Sequence, residues 1–181
     1  MSPSEPAPPR LVILCDAAGR PHGTAEVVAA HSGEGQLHLA FSVFVFRPDR
    51  RALLIQQRSR EKWLWPLAWA NTCCSHPRPG ETAVDAGRRR LGEEMGFTCP
   101  LTPGPEFVYR AADPHGNGVE HEYDVTLLGT YDGDPTPDPA EVAAWRWVEL
   151  DELHRDLAAR PDRYTPWLHA GLPKVVAFLR K

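Results

Sequence analysis

The chain has 181 residues, 42% of them hydrophobic and 24% charged, with a formal net charge of -4, which suits one ordinary globular domain with a sizeable core. Its densest basic cluster is the short run in "GRRRL", so charge argues against a nucleic-acid or membrane-surface partner and leaves small polar ligands open. The apolar run in "RLVILCD" is too short for a signal peptide and no window approaches a membrane span, so the expected location is cytoplasmic, where the four cysteines stay reduced.

Residues 1–9, rich in Pro and Ser, read as a disordered tail, and residues 10–181 as a single domain. "RLVILCD" predicts a strand, "AAGRPHGT" a turn, and "AEVVAA" a second strand or short helix leading to His31. "LHLAFSVFVF" is a long β-type run; after the turn "RPDRR", the strand "ALLIQQRS" is expected to pair back onto it. Lys62 to Arg78 has no clean period and reads as an ordered loop with one short strand, a kind of segment that often carries function. Residues 81–95 are the best helix, because Val84, Gly87, Leu91 and Met95 recur at spacings of three and four, and Gly96 stops it. "EFVYRAAD" and "VEHEYDVTLLGTY", separated by "PHGNG", and then "AAWRWVEL" predict strands, while "DELHRDLAAR" and "PKVVAFLRK" predict helices. This order implies an α+β fold, a mixed or antiparallel sheet flanked by helices.

Within the loop, "WANTCCSHPRPGE" places Cys73, Cys74 and His76 together as metal ligands, a disulfide, a nucleophile site or buried packing. Adjacent cysteines make a poor disulfide, since neighbouring Cα atoms sit closer than bridge geometry prefers. In an extended pair Cys73 points away from Cys74, which makes it a packing residue. Cys15 and Cys99 read as small buried hydrophobes, and Trp63, Trp65 and Trp69 as loop and core packing with pocket lining as the alternative.

A second constellation is His31, His38, His76, Glu120 and Glu122. The Gly-rich bend "HSGEGQLH" can let His31 and His38 converge, and Glu120 and Glu122, two apart on a strand, share a face. Each residue alone reads as surface or core, but jointly the nitrogen and oxygen donors suit Mn²⁺ or Mg²⁺ better than a structural zinc, with Zn²⁺ left open.

Residues 75–97 resemble the Nudix box, with Glu81, Arg89, Leu91, Glu93, Glu94, Gly96 and Phe97 at its positions. Ser75 replaces the opening glycine, and Arg90 replaces a glutamate that Nudix hydrolases use to bind metal. A guanidinium there favours binding a diphosphate over cutting it, because its fork matches phosphate oxygens. "AAHSGEGQLHLAFSVFVF", "WPLAWANTCCSHPRPGE", "YRAADPHGNGVEHEYDV" and "YTPWL" narrow the resemblance to type I isopentenyl-diphosphate Δ-isomerases, from about residue 11 to the C-terminus.

That resemblance implies a divalent metal on His31, His38, His76, Glu120 and Glu122, and Cys74 and Glu122 as catalytic acid/base groups. It implies that Tyr109 supports the glutamate and that Trp167 faces the substrate hydrocarbon. Arg58, Lys62 and Arg90 would bind the diphosphate, with Glu94 a ligand of its Mg²⁺. The family can have a lysine four residues before the first metal histidine, where this chain has Val27, so weaker diphosphate affinity is expected; the "PHGNGVE" loop is one residue longer than the pattern. The expected partner is a small isoprenoid diphosphate, and the expected state a monomer or weak homodimer. The rival expectations are a Nudix diphosphohydrolase, supported by Glu93 and Glu94, and a non-catalytic metal- or diphosphate-binding regulator.

Overall fold

The computed structural model describes residues 10–181, so the tail expected over residues 1–9 lies outside the described residues. In chain order the elements are β1 (Leu11–Cys15), β2 (Pro21–Glu26), α1 (Val27–Ala30), β3 (His38–Phe46), β4 (Ala52–Arg58), β5 (Trp69–Ala70), β6 (Cys73–Ser75) and α2 (Ala83–Met95). They continue with β7 (Thr102–Ala112), β8 (Val119–Thr130), β9 (Val142–Glu149), α3 (Leu150–Ala159) and α4 (Pro166–Leu179).

β3 is the centre of the sheet, and all of it but Leu39 is buried. Its unbroken apolar run, rather than an alternating one, suits a strand covered on both faces. Phe41, Val43 and Val45 pack in one cluster with Leu91 and Met95 of α2, and Phe44 and Phe46 in another with Leu153 of α3 and Leu168 and Leu172 of α4. A mixed sheet therefore lies between two helical layers, as expected.

β8 runs parallel along one edge of β3, from His38↔Glu122 to Phe46↔Thr130, and β7 pairs antiparallel with β8. Three strands share the other edge in succession: β1 at His38, β6 at Phe41–Val43, and β4 at Phe46. The sequence predicts that β4 pairs back along β3, but the two meet only at Phe46↔Leu53 and then diverge, β4 continuing against β9.

Thr72 occupies the gap between the parted strands and satisfies both. Its N–H donates to Val43 O at 3.1 Å, while its Oγ1 accepts from Val45 N at 2.9 Å and donates to Leu54 O at 2.7 Å. Gln56 Nε2 donates to Thr72 O at 3.0 Å, and Asn71 Nδ2 to Val43 O at 3.0 Å and Cys73 O at 2.9 Å. Buried backbone groups need such partners, so the parting is stable only with this wedge. Thr72→Val keeps the shape and strips both side-chain bonds; about 2–4 kcal/mol of stability should be lost, measured from denaturant midpoints. An unchanged midpoint would show that the wedge holds nothing.

The loop from 62 to 78 contains two short strands, β5 and β6, rather than one, because each finds an edge left open by the parting. β2 occupies part of what reads as a turn, and α4 begins at Pro166, well before Pro173, because proline is well placed at a first helical position. Gly96 ends α2 as expected, with φ 73° and its N–H bonded to Gly92 O; a Cβ there would lie 2.1 Å from Thr136 O.

Before α2, Glu81 accepts from Arg89 Nε at 2.8 Å, Arg89 Nη2 at 2.9 Å and Arg78 N at 2.9 Å. These bonds, that to Arg89 above all, hold its carboxyl down at about 2, against an ordinary 4.5. A carboxyl lowered by folding adds stability above its unfolded pKa and loses it as pH falls towards the folded one. Glu81→Gln should therefore cost about 1–2 kcal/mol near neutrality, with a gap from the parent that narrows steadily below about pH 4.5 in urea titrations.

Candidate active site and metal centre

The divergence of β3 and β4 opens a cavity of about 420 Å³. Cys74, Glu122, Tyr109, Trp167, Arg58, Lys62, Arg90 and Glu94 all line it, together with His31, His76 and Glu120. His38, the remaining expected ligand, is fully buried at the start of β3.

Local structure delivers each metal-type ligand. After β2 the chain makes one helical turn, α1, capped by Glu26, and His31 ends it. Gly33 and Gly35, at φ 61° and 74°, turn the chain back so that the His31 and His38 rings lie 4.7 Å apart. His76 follows β6, and Glu120 and Glu122 project from one face of β8. The ligand atoms of His31, His38, His76, Glu120 and Glu122 all lie within 4.8 Å of one another.

His31 Nδ1 lies 2.6 Å from Val27 O and His38 Nδ1 2.7 Å from Gln36 O. A carbonyl only accepts, so each Nδ1 carries the proton and each Nε2 offers a lone pair. Yet His31 Nε2 faces Glu120 Oε2 at 2.9 Å, and His38 Nε2 faces His76 Nε2 at 3.1 Å, while His76 Nε2 lies 2.8 Å from Glu122 Oε1. Acceptors turned on acceptors require a proton or a cation between them. Burial opposes charging His31, but the hydrogen bond and charge of Glu120 prevail and raise it to about 9. Burial takes His76 down to about 4, which leaves a neutral imidazole. The donor set fits a divalent cation, with the Nδ1 bonds fixing the ring orientations.

Cys74 and Cys73 divide as expected. Cys73 is fully buried in the core beneath α2, while Cys74, opposite Ser42, is half-buried beside Trp65 and Trp167. All four cysteines are free, and Cys15 and Cys99 are buried. Burial pushes the Cys74 thiol up to about 12, against the pull of Arg58, whose Nη1 lies 3.8 Å from Sγ. Across the cavity, the Tyr109 hydroxyl donates to Glu122 Oε2. The Trp167 ring packs edge-on to Trp65 at 5.5 Å and lies 6.2 Å from Tyr109. Of the other tryptophans, Trp63 stands exposed at the cavity, while Trp69 lies outside it, beneath Arg146.

The cations are already engaged. Arg58 donates to Leu64 O at 2.8 Å and Trp65 O at 3.1 Å, which ties down a loop whose Trp65 and Leu67 have φ of 47° and 62°. Arg90 bonds Glu93 at 2.7 Å and also Glu94, and reaches Glu141 at 3.2 Å. Lys62 bonds Glu141, and Gln56 bonds Glu94 at 3.1 Å. The Arg90–Glu94 pair is thus no solvated helix face: Glu94 is 1% exposed. Glu141, just before β9, and Arg10, just before β1, also line the cavity and carry no local signal in the sequence. Glu94 and Glu141 together offer the hard carboxylate oxygens that suit Mg²⁺ beside a phosphate.

Residues 36–168 match the NUDIX domain family. Curated relatives named isopentenyl-diphosphate Delta-isomerase are 52% identical in Nocardia farcinica, over 87% of this chain and 89% of the relative, and 46% identical in Halorhodospira halophila, over 86% and 89%. A third, from Burkholderia multivorans, is 48% identical over 90% of this chain and 93% of its own. Among solved structures, a Deinococcus radiodurans protein superposes with a TM-score of 0.74 at 19% identity, over 91% of this chain and 98% of that one, and shares the fold.

Proposed function

Because the chain belongs to the isopentenyl-diphosphate Δ-isomerase family of Nudix proteins, we propose that it interconverts isopentenyl and dimethylallyl diphosphate, with Cys74 and Glu122 as the groups that give and take protons. The observation that carries this assignment is that a thiol on β6 and a carboxylate on β8, held at opposite edges of β3, reach one cavity walled by Trp167.

Shifting the double bond places a proton on the terminal alkene carbon and removes another from the carbon two bonds away. A tertiary, cation-like species lies between the steps. The reaction is reversible, so each group acts as acid in one direction and base in the other. Tyr109 fixes the Glu122 carboxylate through its hydroxyl. The face of Trp167 stabilises the cationic carbon by about 2 kcal/mol in a dry pocket. Arg58 holds the tryptophan loop closed beside Cys74 and, with Lys62 and Arg90, anchors the diphosphate.

His31, His38, His76, Glu120 and Glu122 would hold Mn²⁺ or Mg²⁺, with Zn²⁺ the alternative, and the bound ion would supply charge that orients Glu122 and sets its proton affinity. Glu94, with Glu141 beside it, would hold the Mg²⁺ that accompanies the diphosphate. Among the described residues no helix is long and apolar enough to cross a membrane; the same assignment carries a cytoplasmic monomer or weak homodimer with no nucleic-acid or membrane partner. Hydrolysis is the weaker alternative, since Glu93 is exposed beside Arg89 and Arg90 and does not line the cavity.

The test is NMR of the metal-loaded, reduced protein with isopentenyl diphosphate and Mg²⁺ in deuterated water. Loss of the vinyl signals with deuterium uptake and an unchanged diphosphate is expected. Release of phosphate or diphosphate would overturn isomerisation in favour of hydrolysis, and unchanged spectra would favour a binding protein.

A further inference from the structure

We propose that Arg10 is a diphosphate-binding residue of this site, a guanidinium supplied by the N-terminal strand. The inference builds on the isoprenoid-diphosphate assignment. Arg10 lines the 420 Å³ cavity and also a neighbouring one of about 500 Å³. The two adjoin along Val27, Ser75, His76 and Arg90.

Three observations converge on it. First, Arg10 extends the β1–β2 register by one residue beyond Leu11↔Glu26, and Val27 N donates to Arg10 O at 2.9 Å. Directly opposed residues on antiparallel strands have Cβ atoms about 5 Å apart on one face. The long Arg10 side chain therefore serves the space beside the short Val27, on the cavity wall.

Second, the other cavity cations are committed: Arg58 to the carbonyls of Leu64 and Trp65, Lys62 to Glu141, and Arg90 to Glu93, Glu94 and Glu141. Arg10, which is exposed, makes no side-chain hydrogen bond or ion pair among the described residues. Its fork can take two phosphate oxygens without first breaking a carboxylate pair.

Third, the adjoining cavity is itself lined by Arg78, Arg89 and Arg90. Arg10 thus stands at the rim between the carboxylate-bearing cavity and a neighbouring one lined by arginines without a carboxylate, which favours an anionic ligand on that side. The weaker diphosphate affinity expected from Val27 is then offset by the residue across the ladder.

The test compares the parent with Arg10→Met, which keeps the stem, Arg10→Lys, and Arg10→Met combined with Val27→Lys. KM for isopentenyl diphosphate and the dissociation constant of inorganic diphosphate with Mg²⁺, by calorimetry, should both rise about tenfold in Arg10→Met, with kcat falling by less. Arg10→Lys should fall between, and the double variant should recover most of the loss. Unchanged KM and diphosphate affinity in Arg10→Met would overturn the proposal. So would a fall in kcat and thermal midpoint with affinity intact, the mark of a structural role. If the parent proves inactive as an isomerase, the calorimetric arm still decides Arg10 alone, because it requires no turnover.

Discussion

Cys74→Ala is expected to lower kcat by about a thousandfold or more while leaving the fold and the metal content intact. One positioned acid/base group contributes about 10²–10⁴-fold, and the upper end applies where no other donor can substitute. Here Sγ lies among Trp65, Trp167 and Tyr109 in a small apolar cluster, and Arg58, its polar neighbour, cannot be deprotonated. Stability should hardly change, because Cys73, not Cys74, fills the core under α2. Cys74→Ser, which keeps a donor of the wrong acidity and length, should retain more activity than alanine. Single-turnover rates with metal analysis and thermal melts check all three statements. Near-normal turnover in a folded, metal-loaded Cys74→Ala protein would sink the proton-transfer role.

Exhaustive chelation is expected to abolish activity and to lower the melting midpoint by about 10 °C. An ion that binds only the folded chain stabilises it by about 4 kcal/mol at a thousandfold excess over its dissociation constant, and each kcal/mol moves a domain of this size by about 2–4 °C. Stripped of the ion, the site leaves the Nε2 lone pairs of His31 and His38 facing Glu120 and His76, an arrangement that only protons can relieve. Restoring Mn²⁺ should recover both midpoint and activity in the parent but not in His38→Ala. A melting curve and a rate indifferent to chelator would show that the five residues hold no ion that matters.

Much of the architecture was legible from period and composition. The buried run that became β3, the helix closed by Gly96 and the shared face of Glu120 and Glu122 all follow from local rules. The bend that brings His31 to His38 and the joint donor set of the five ligands could be read from the residues, but nothing in the residues between His38 and His76 tells how the chain returns, so it was the resemblance that assigned the metal to the five together. The parting of β3 and β4 was not legible at all. It depends on Thr72, a residue ordinary in sequence, bonding both strands at once. Glu141 and Arg10 escaped for the same reason, because each reaches the cavity from an unremarkable neighbourhood that only tertiary packing brings near.

The order of the elements also decides when the site comes into being. The parallel ladder between β3 and β8 pairs residues distant in the chain, from His38↔Glu122 to Phe46↔Thr130, and the Ser42–Asp124 hydrogen bond beside it spans 82 positions; such distant pairings form slowly because loop closure comes before its reward. Trp167 arrives still later, on the last helix. During synthesis, then, Cys74 emerges long before the Trp167 ring that packs beside it. The cavity is therefore complete only when α4 docks, and a chain cut short before Pro166 lacks the wall that Trp167 supplies.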